Sequence, residues 1–269
     1  MIPKIIHQIW FQGFENLPQH LLTYHRSWID KNPDYTFIVW DQKMIEDLIN
    51  KSEKWIHDLY YSYNKMIQKI DFAKYLILYV YGGIYIDMDV KCLKSLSTLP
   101  DMHKYTGIFS SMSTNTAQRI LLILINHPFG EDIVNNGIIF IARRHPIMLE
   151  TMKQAYKKKD NIYKNISNFL HVFASTGPIC LTNGIKHYKH AYQKGDDILI
   201  LDKSYFEDCE IGKLHTCEPP PHAIGSHVYQ GSWVSSGENV AVKLYYFLSE
   251  NLVALVLLFM LIVILKHKS

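Results

Sequence analysis

Hydrophobic and polar positions alternate along the chain in blocks of two kinds. Residues 4–10 and 36–40 are short apolar runs rich in Ile, Val and aromatic side chains, the pattern of buried strands. Asn32-Pro33-Asp34 supplies a turn before the second run, and Asp41 stands where a helix N-cap belongs. A helix is expected from Gln42 to about Asn50. Over 70–81, Phe72, Tyr75, Leu76, Tyr79 and Val80 recur at three- and four-residue spacing, which predicts a helix. Gly82-Gly83 ends it, and Ile84-Tyr85-Ile86 follows as a short buried strand leading into Asp87-Met88-Asp89. Further on, the pattern predicts a strand at 137–141, helices over 146–158 and from Gly177-Pro178, and a strand at 198–201. Alternating strands and helices imply an α/β layered domain with a mainly parallel sheet. In such sheets ligands bind beyond the carboxyl ends of strands, and Asp87-Met88-Asp89 falls at one.

The pattern changes near the end of the chain. Residues 252–265 form an unbroken apolar run, closed by Lys266-His267-Lys268. Extended back to Leu244, with Ser249, Glu250 and Asn251 as its polar interruptions, the run is long enough to cross a bilayer of about 30 Å. The expected organisation is an α/β domain over 1–238, a transmembrane helix over 244–265 and a basic tail over 266–269. A buried or surface-lying helix is the alternative for 244–265. Met1-Ile2-Pro3-Lys4 runs straight into the first strand, so no signal peptide is expected. A tail anchor alone leaves the α/β domain in the cytosol, whereas the basic tip places the tail there and the domain in the lumen.

The chain has 269 residues, room for one large domain with an appendage, and 48% apolar residues allow a sizeable core. A net charge of +3 gives no strong global field, and a nucleic-acid partner, which needs a clustered basic face, is not expected. The four cysteines contain no CxxC pair, and the spacing of His215, Cys217, His222 and His227 fits no standard zinc site. Asn165-Ile166-Ser167 is a glycosylation sequon, a short pattern that also arises by chance.

The chemistry centres on Asp87 and Asp89. Two carboxylates one residue apart, at a loop where an apolar strand ends, can converge on one hard cation shared with a diphosphate. Asp71 and Lys74 lie one turn apart on the preceding helix. They read either as sugar and diphosphate contacts or as a surface ion pair worth a few tenths of a kcal/mol. His227 reads either as a ligand or as a structural histidine.

These residues sit within longer matching stretches. Ile2-Pro3-Lys4-Ile5-Ile6-His7-Gln8-Ile9-Trp10, then Trp28…Asn32-Pro33-Asp34-Tyr35…Val39-Trp40-Asp41, resemble the opening of the DXD-containing glycosyltransferases of family thirty-two. The strongest match is Asp71-Phe72-Ala73-Lys74-Tyr75-Leu76-Ile77-Leu78-Tyr79…Gly82-Gly83-Ile84-Tyr85-Ile86-Asp87-Met88-Asp89. Arg144-His145-Pro146, Ser175-Thr176-Gly177-Pro178 and His227…Gly231-Ser232-Trp233 follow in the family's order.

The resemblance implies a GT-A fold, a nucleotide-sugar donor and transfer with retention of anomeric configuration. It implies a divalent cofactor, Mn²⁺ or Mg²⁺, on Asp87 and Asp89, with His227 as a further ligand. Asp71 would join the two aspartates as a catalytic residue and contact the donor sugar. His7, Gln8, Trp10, Lys74, Tyr75, Gly83 and Trp233 would complete the donor site. The family commonly has arginine where this chain has Lys74, which keeps the charge and loses the fork geometry. Within the family, the inositol-phosphorylceramide mannosyltransferases are most similar, implying GDP-mannose as donor and a membrane lipid or glycan as acceptor. A single-pass protein of the Golgi or endoplasmic reticulum is then expected. A galactosyl or N-acetylglucosaminyl transferase using a UDP-sugar is the enzymatic alternative. A non-catalytic membrane adaptor with a degenerate domain is the alternative of another class.

Overall fold

The computed structural model describes residues 1–99, 101–112, 133–161, 163–165, 167–206 and 218–228. All fall within one compact unit, 1–112 with 133–230. The expected transmembrane segment 244–265 and the basic tail lie outside the described residues. Among the described residues, no helix is long and apolar enough to cross a membrane.

In chain order the strands and helices are β1 (Ile5–Ile9), α1 (Gln19–Lys31), β2 (Thr36–Trp40), α2 (Gln42–Asn50), α3 (Lys54–Ser62), α4 (Met66–Tyr81), β3 (Gly83–Ile86) and β4 (Val90–Cys92). There follow β5 (Gly107–Ser111), β6 (Val134–Ile141), α5 (Pro146–Lys158), α6 (Asn168–Ser175), α7 (Pro178–Tyr192), β7 (Ile198–Leu201) and β8 (Gly225–His227). Six strands form one sheet in the order β2-β1-β3-β6-β5-β7, and β4 pairs with β8 in a second, two-stranded sheet. β1–β2, β1–β3 and β5–β7 are parallel. The sheet is nevertheless mixed, because β6 runs antiparallel to both β3 and β5.

The period-two alternation of the strands sorts their side chains onto two cores. Tyr85, Phe109, Ile139 and Ile141 join one, with α2, α3, α4, α5 and α7. Ile84, Ile86, Ile108, Ile138 and Phe140 join the other, with Trp28 of α1 and Val90 of β4. Tyr85 therefore projects to the same side of the sheet as α4, and this sets up the site.

Two element boundaries differ from expectation. α4 begins at Met66 rather than 70, and β6 begins at Val134 rather than 137. Asn135 and Asn136 break the apolar run that marks β6 in sequence, yet both are buried. The N-cap holds: Asp41 accepts a hydrogen bond from the Met44 amide at 2.7 Å. At the end of α4 the chain reverses through Gly82 (φ 65°) and Gly83 (φ 100°). A Cβ on Gly83 would sit 2.6 Å from the Ile5 carbonyl oxygen, so both the backbone conformation and the approach of β1 require glycine.

Candidate functional site

β3 ends at Ile86, and the Asp87 amide still donates to the Gly137 carbonyl of β6 at 2.8 Å. The backbone then turns, with the Val90 amide reaching the Asp87 carbonyl at 3.2 Å. β4 pairs with β8 in a register that sets Val90 opposite His227, and the Val228 amide bonds the Asp89 carbonyl at 3.0 Å. This second small sheet brings a residue from late in the chain beside the two aspartates. One ligand atom each from Asp87, Asp89 and His227 falls within 4.8 Å of the others. Neighbouring ligands about 2.1 Å from one octahedral ion lie about 3 Å apart, and Asp89 Oδ1 lies 3.2 Å from His227 Nε2. Two carboxylates and an imidazole suit a divalent ion of the Mg²⁺ or Mn²⁺ kind, so the residues present fit such a group.

Behind this rim lies a buried polar network. Lys74 and Asp71, on one face of α4, are 2% and 4% exposed, so the surface-ion-pair reading of these residues is corrected. Lys74 Nζ lies 3.1 Å from Asp71 Oδ1 and 3.3 Å from Asp87 Oδ1. It also donates to the Asn136 carbonyl at 3.3 Å and sits 4.6 Å above the Tyr85 ring. Asp71 Oδ1 accepts from Asn136 Nδ2 at 3.0 Å, and Oδ2 accepts from the Thr176 hydroxyl at 3.1 Å. The Tyr85 hydroxyl donates to Asp87 Oδ1 at 2.8 Å.

Burial alone would lower the pKa of Lys74, but Asp87 and Asp71 outweigh it and the net shift is upward. The ammonium is therefore retained. For Asp71 burial dominates and raises the pKa, and attraction to Lys74 offsets it only in part. The two directions differ because Lys74 is shared by two carboxylates, whereas Asp71 has one cation. Burial also holds the Tyr85 phenol well above its ordinary pKa, so it stays a proton donor.

The remaining sequence candidates divide. Trp10 is half-buried, its indole N–H donating to the Asn16 carbonyl at 3.2 Å. His7 is enclosed, with Nε2–H donating to the Gly82 carbonyl at 2.9 Å and Nδ1 accepting from Trp40 Nε1 at 3.1 Å. Gln8 is buried, its Oε1 2.6 Å from His25 Nδ1. Tyr75 is buried and donates to the Thr176 carbonyl at 2.6 Å. In this structure His7, Gln8 and Tyr75 bond other protein groups, and Gly83 is buried at the start of β3. Trp233 lies outside the described residues.

Sequence reasoning did not single out Tyr85, Asn136, Gly137 or Thr176 as site residues. Tyr85 and Thr176 stand inside matching stretches, and the Asn135-Asn136-Gly137 break in an otherwise apolar strand was the available signal for the other two. Gly137 matters sterically, since a Cβ there would lie 2.6 Å from Asp87 Oδ2 and 3.2 Å from His227 Cε1.

The enclosure of His7 has a measurable consequence. Burial lowers its pKa from 6.5 to about 4, so the unfolded chain takes up the proton first as pH falls. Stability is full above about pH 6.5 and declines towards pH 4. From about pH 6.5 to 5, wild type is expected to lose about 1.5 kcal/mol more than His7→Gln. Urea denaturation at the two pH values reads this directly, and parallel losses in both proteins would refute it.

Three comparisons bear on this arrangement. The family model for the glycosyltransferase sugar-binding region containing the DXD motif matches residues 18–106. An uncharacterized glycosyltransferase of Acanthamoeba polyphaga mimivirus is 31% identical over 81% of this chain and 77% of its own length. Mannosyl phosphorylinositol ceramide synthase of Saccharomyces cerevisiae is 29% identical over 77% of this chain. Inositol phosphoceramide mannosyltransferase 3 of Schizosaccharomyces pombe is 30% identical over 67% of this chain. The matches span 48% and 44% of those two relatives, about half their length. Among solved structures, the galactosyltransferase LgtC with donor and acceptor sugar analogs is a partial likeness. It has a TM-score of 0.49 and 14% identity, over 92% of this chain and 95% of that one. With Asp87-x-Asp89 lying inside the matched sugar-binding region and the mimiviral relative similar over most of both chains, this chain belongs to the DXD-containing glycosyltransferases of family thirty-two.

Proposed function

We propose that the protein is a metal-dependent, retaining hexosyltransferase with a GT-A scaffold, moving mannose from GDP-mannose to a glycolipid such as inositol phosphorylceramide, or to a glycan. The observation that carries this reading is the convergence of Asp87, Asp89 and His227 at a strand end, backed by the buried Asp71–Lys74 pair. The mannosyl group and the lipid acceptor are taken from the names of the yeast relatives, and GDP as the sugar's carrier from the family resemblance. The membrane placement, in the Golgi or endoplasmic reticulum, rests on the apolar stretch 244–265 and the lipid acceptor.

When bound, Mn²⁺ or Mg²⁺ neutralises charge on the diphosphate leaving group. The chain's own residues do the rest. Asp87, Asp89 and His227 hold the ion. Asp71, fixed by Thr176, Asn136 and Lys74, presents an oriented carboxylate to the donor sugar. Lys74 keeps a positive charge beside the leaving diphosphate, and Trp10 stacks on the nucleotide base. The bond from the anomeric carbon to the phosphate oxygen breaks as the acceptor oxygen bonds the same carbon on the same face. The acceptor's proton passes to the departing diphosphate. Preorganised charge aimed at the leaving group supplies most of the rate.

A screen of nucleotide-sugars with Mn²⁺ and lipid acceptors tests the reading. Equal amounts of GDP and mannosylated lipid are expected. UDP release with galactosyl or N-acetylglucosaminyl product would move the donor assignment to the UDP-sugars. Release of a nucleoside monophosphate would indicate nucleotidyl or phosphoryl transfer instead. Failure to bind any nucleotide-sugar with Mn²⁺ would point to a non-catalytic membrane adaptor.

A further inference from the structure

The two oxygens of Asp87 have different surroundings. Oδ1 turns inward, where it accepts from the Tyr85 hydroxyl at 2.8 Å and lies 3.3 Å from Lys74 Nζ. Oδ2 turns outward over Gly137 and would lie 2.6 Å from a Cβ at that position. His227 Cε1 lies 3.2 Å from the same point. Oδ2 and the imidazole thus meet over a backbone position that only a glycine leaves open. The Tyr85 ring is enclosed, 1% exposed, and capped by the Lys74 ammonium at 4.6 Å. Its hydroxyl is thus held from the buried side, while the Asp87 side chain it bonds is 29% exposed.

We propose that Tyr85 and Gly137 are positioning residues that divide the Asp87 carboxylate, fixing Oδ1 to the protein and reserving Oδ2 as the single atom that meets a divalent cation. The proposal rests on the metal-dependent reading above. A carboxylate free to rotate could grip the ion through both oxygens or swing away from it. Held as it is, its outer oxygen stays aimed at the space shared with Asp89 and His227. Groups that orient a metal ligand without touching the metal typically set affinity by roughly 10–100-fold. Tyr85→Phe removes the orienting hydroxyl at nearly constant volume. Gly137→Ala places a methyl carbon 2.6 Å from Oδ2, closer than the two atoms can approach.

The test is Mn²⁺ binding to the full chain, read from the electron paramagnetic resonance signal of free Mn²⁺, with no sugar donor present. Tyr85→Phe is expected to raise the Kd roughly 10–100-fold, and Gly137→Ala at least as far. Tyr60→Phe serves as a control: Tyr60 is equally buried, and its hydroxyl has no hydrogen-bond partner among the described residues. It should bind Mn²⁺ as wild type does. A second measurement uses wild type alone. The carboxylate infrared band that Mn²⁺ shifts, and that Asp87→Asn removes, should have the wide splitting of one-oxygen coordination. Mn²⁺ binding by wild type that is lost in Asp89→Ala but unchanged in Tyr85→Phe would overturn the positioning role alone. So would a two-oxygen infrared signature for Asp87. No Mn²⁺ binding by wild type would overturn this proposal and the metal-dependent reading together.

Discussion

Asp89→Ala is expected to abolish both sugar transfer and donor hydrolysis, a fall of at least roughly 10²–10³-fold in kcat, in a protein that still unfolds cooperatively. Asp89 sits on the turn between β3 and β4, and its side chain is part-exposed, so truncation opens no cavity in either core. What is lost is one of three converging ligand atoms and the charge that draws a cation to the leaving group. The backbone contact from Val228 to the Asp89 carbonyl survives the substitution, which keeps β8 and His227 in register. Assaying transfer and hydrolysis separately matters. A residue that served only the acceptor would leave hydrolysis intact, whereas a metal ligand should suppress both. Wild-type rates in Asp89→Ala would remove the residue from the chemistry.

The second large effect is on stability. Lys74→Met should destabilise the fold by about 3–5 kcal/mol, the range for breaking a buried charge pair by removing one partner. The side chain is enclosed by Asp71, Asp87, the Asn136 carbonyl and the Tyr85 ring. Removing the ammonium leaves Asp71 buried with its charge uncompensated. At pH 7 that carboxyl must either stay ionised in a poorly solvating site or take up a proton, and both cost free energy. Asp71→Asn in the Lys74→Met background should therefore restore part of the loss, because the leftover charge is removed with it. Urea denaturation of the two single variants and the double variant isolates the coupling. Additive losses would mean that the two groups do not interact, contrary to their 3.1 Å separation.

The rim of the site was legible in sequence because it depends on local order. A helix, a Gly-Gly reversal, three apolar residues and then Asp87-x-Asp89 leave few ways for the backbone to run. The part contributed by β6 and β8 was not. Asn136 and Gly137 reach the site because β6 inserts antiparallel between β3 and β5, and strand order across a sheet depends on pairing partners far apart in sequence. His227 could be flagged only by resemblance, since its place beside Asp89 depends on the β4–β8 pairing. The burial of Lys74 was hidden for a related reason. Helical spacing shows which residues share a face, but α4 is enclosed on more than one side, with Asp71 and Lys74 inside. His7 belongs to a matching stretch, and in this structure both its ring nitrogens are engaged by Gly82 and Trp40, so it braces the Gly-Gly turn.

The most direct measurement is turnover of GDP-mannose by the full chain with a lipid acceptor, first in excess chelator and then after Mn²⁺ is restored. Activity should vanish in chelator and return with Mn²⁺, with one GDP formed for each mannosylated lipid. Undiminished sugar transfer in chelator would contradict the assignment of Asp87, Asp89 and His227 as the cradle of a required cation.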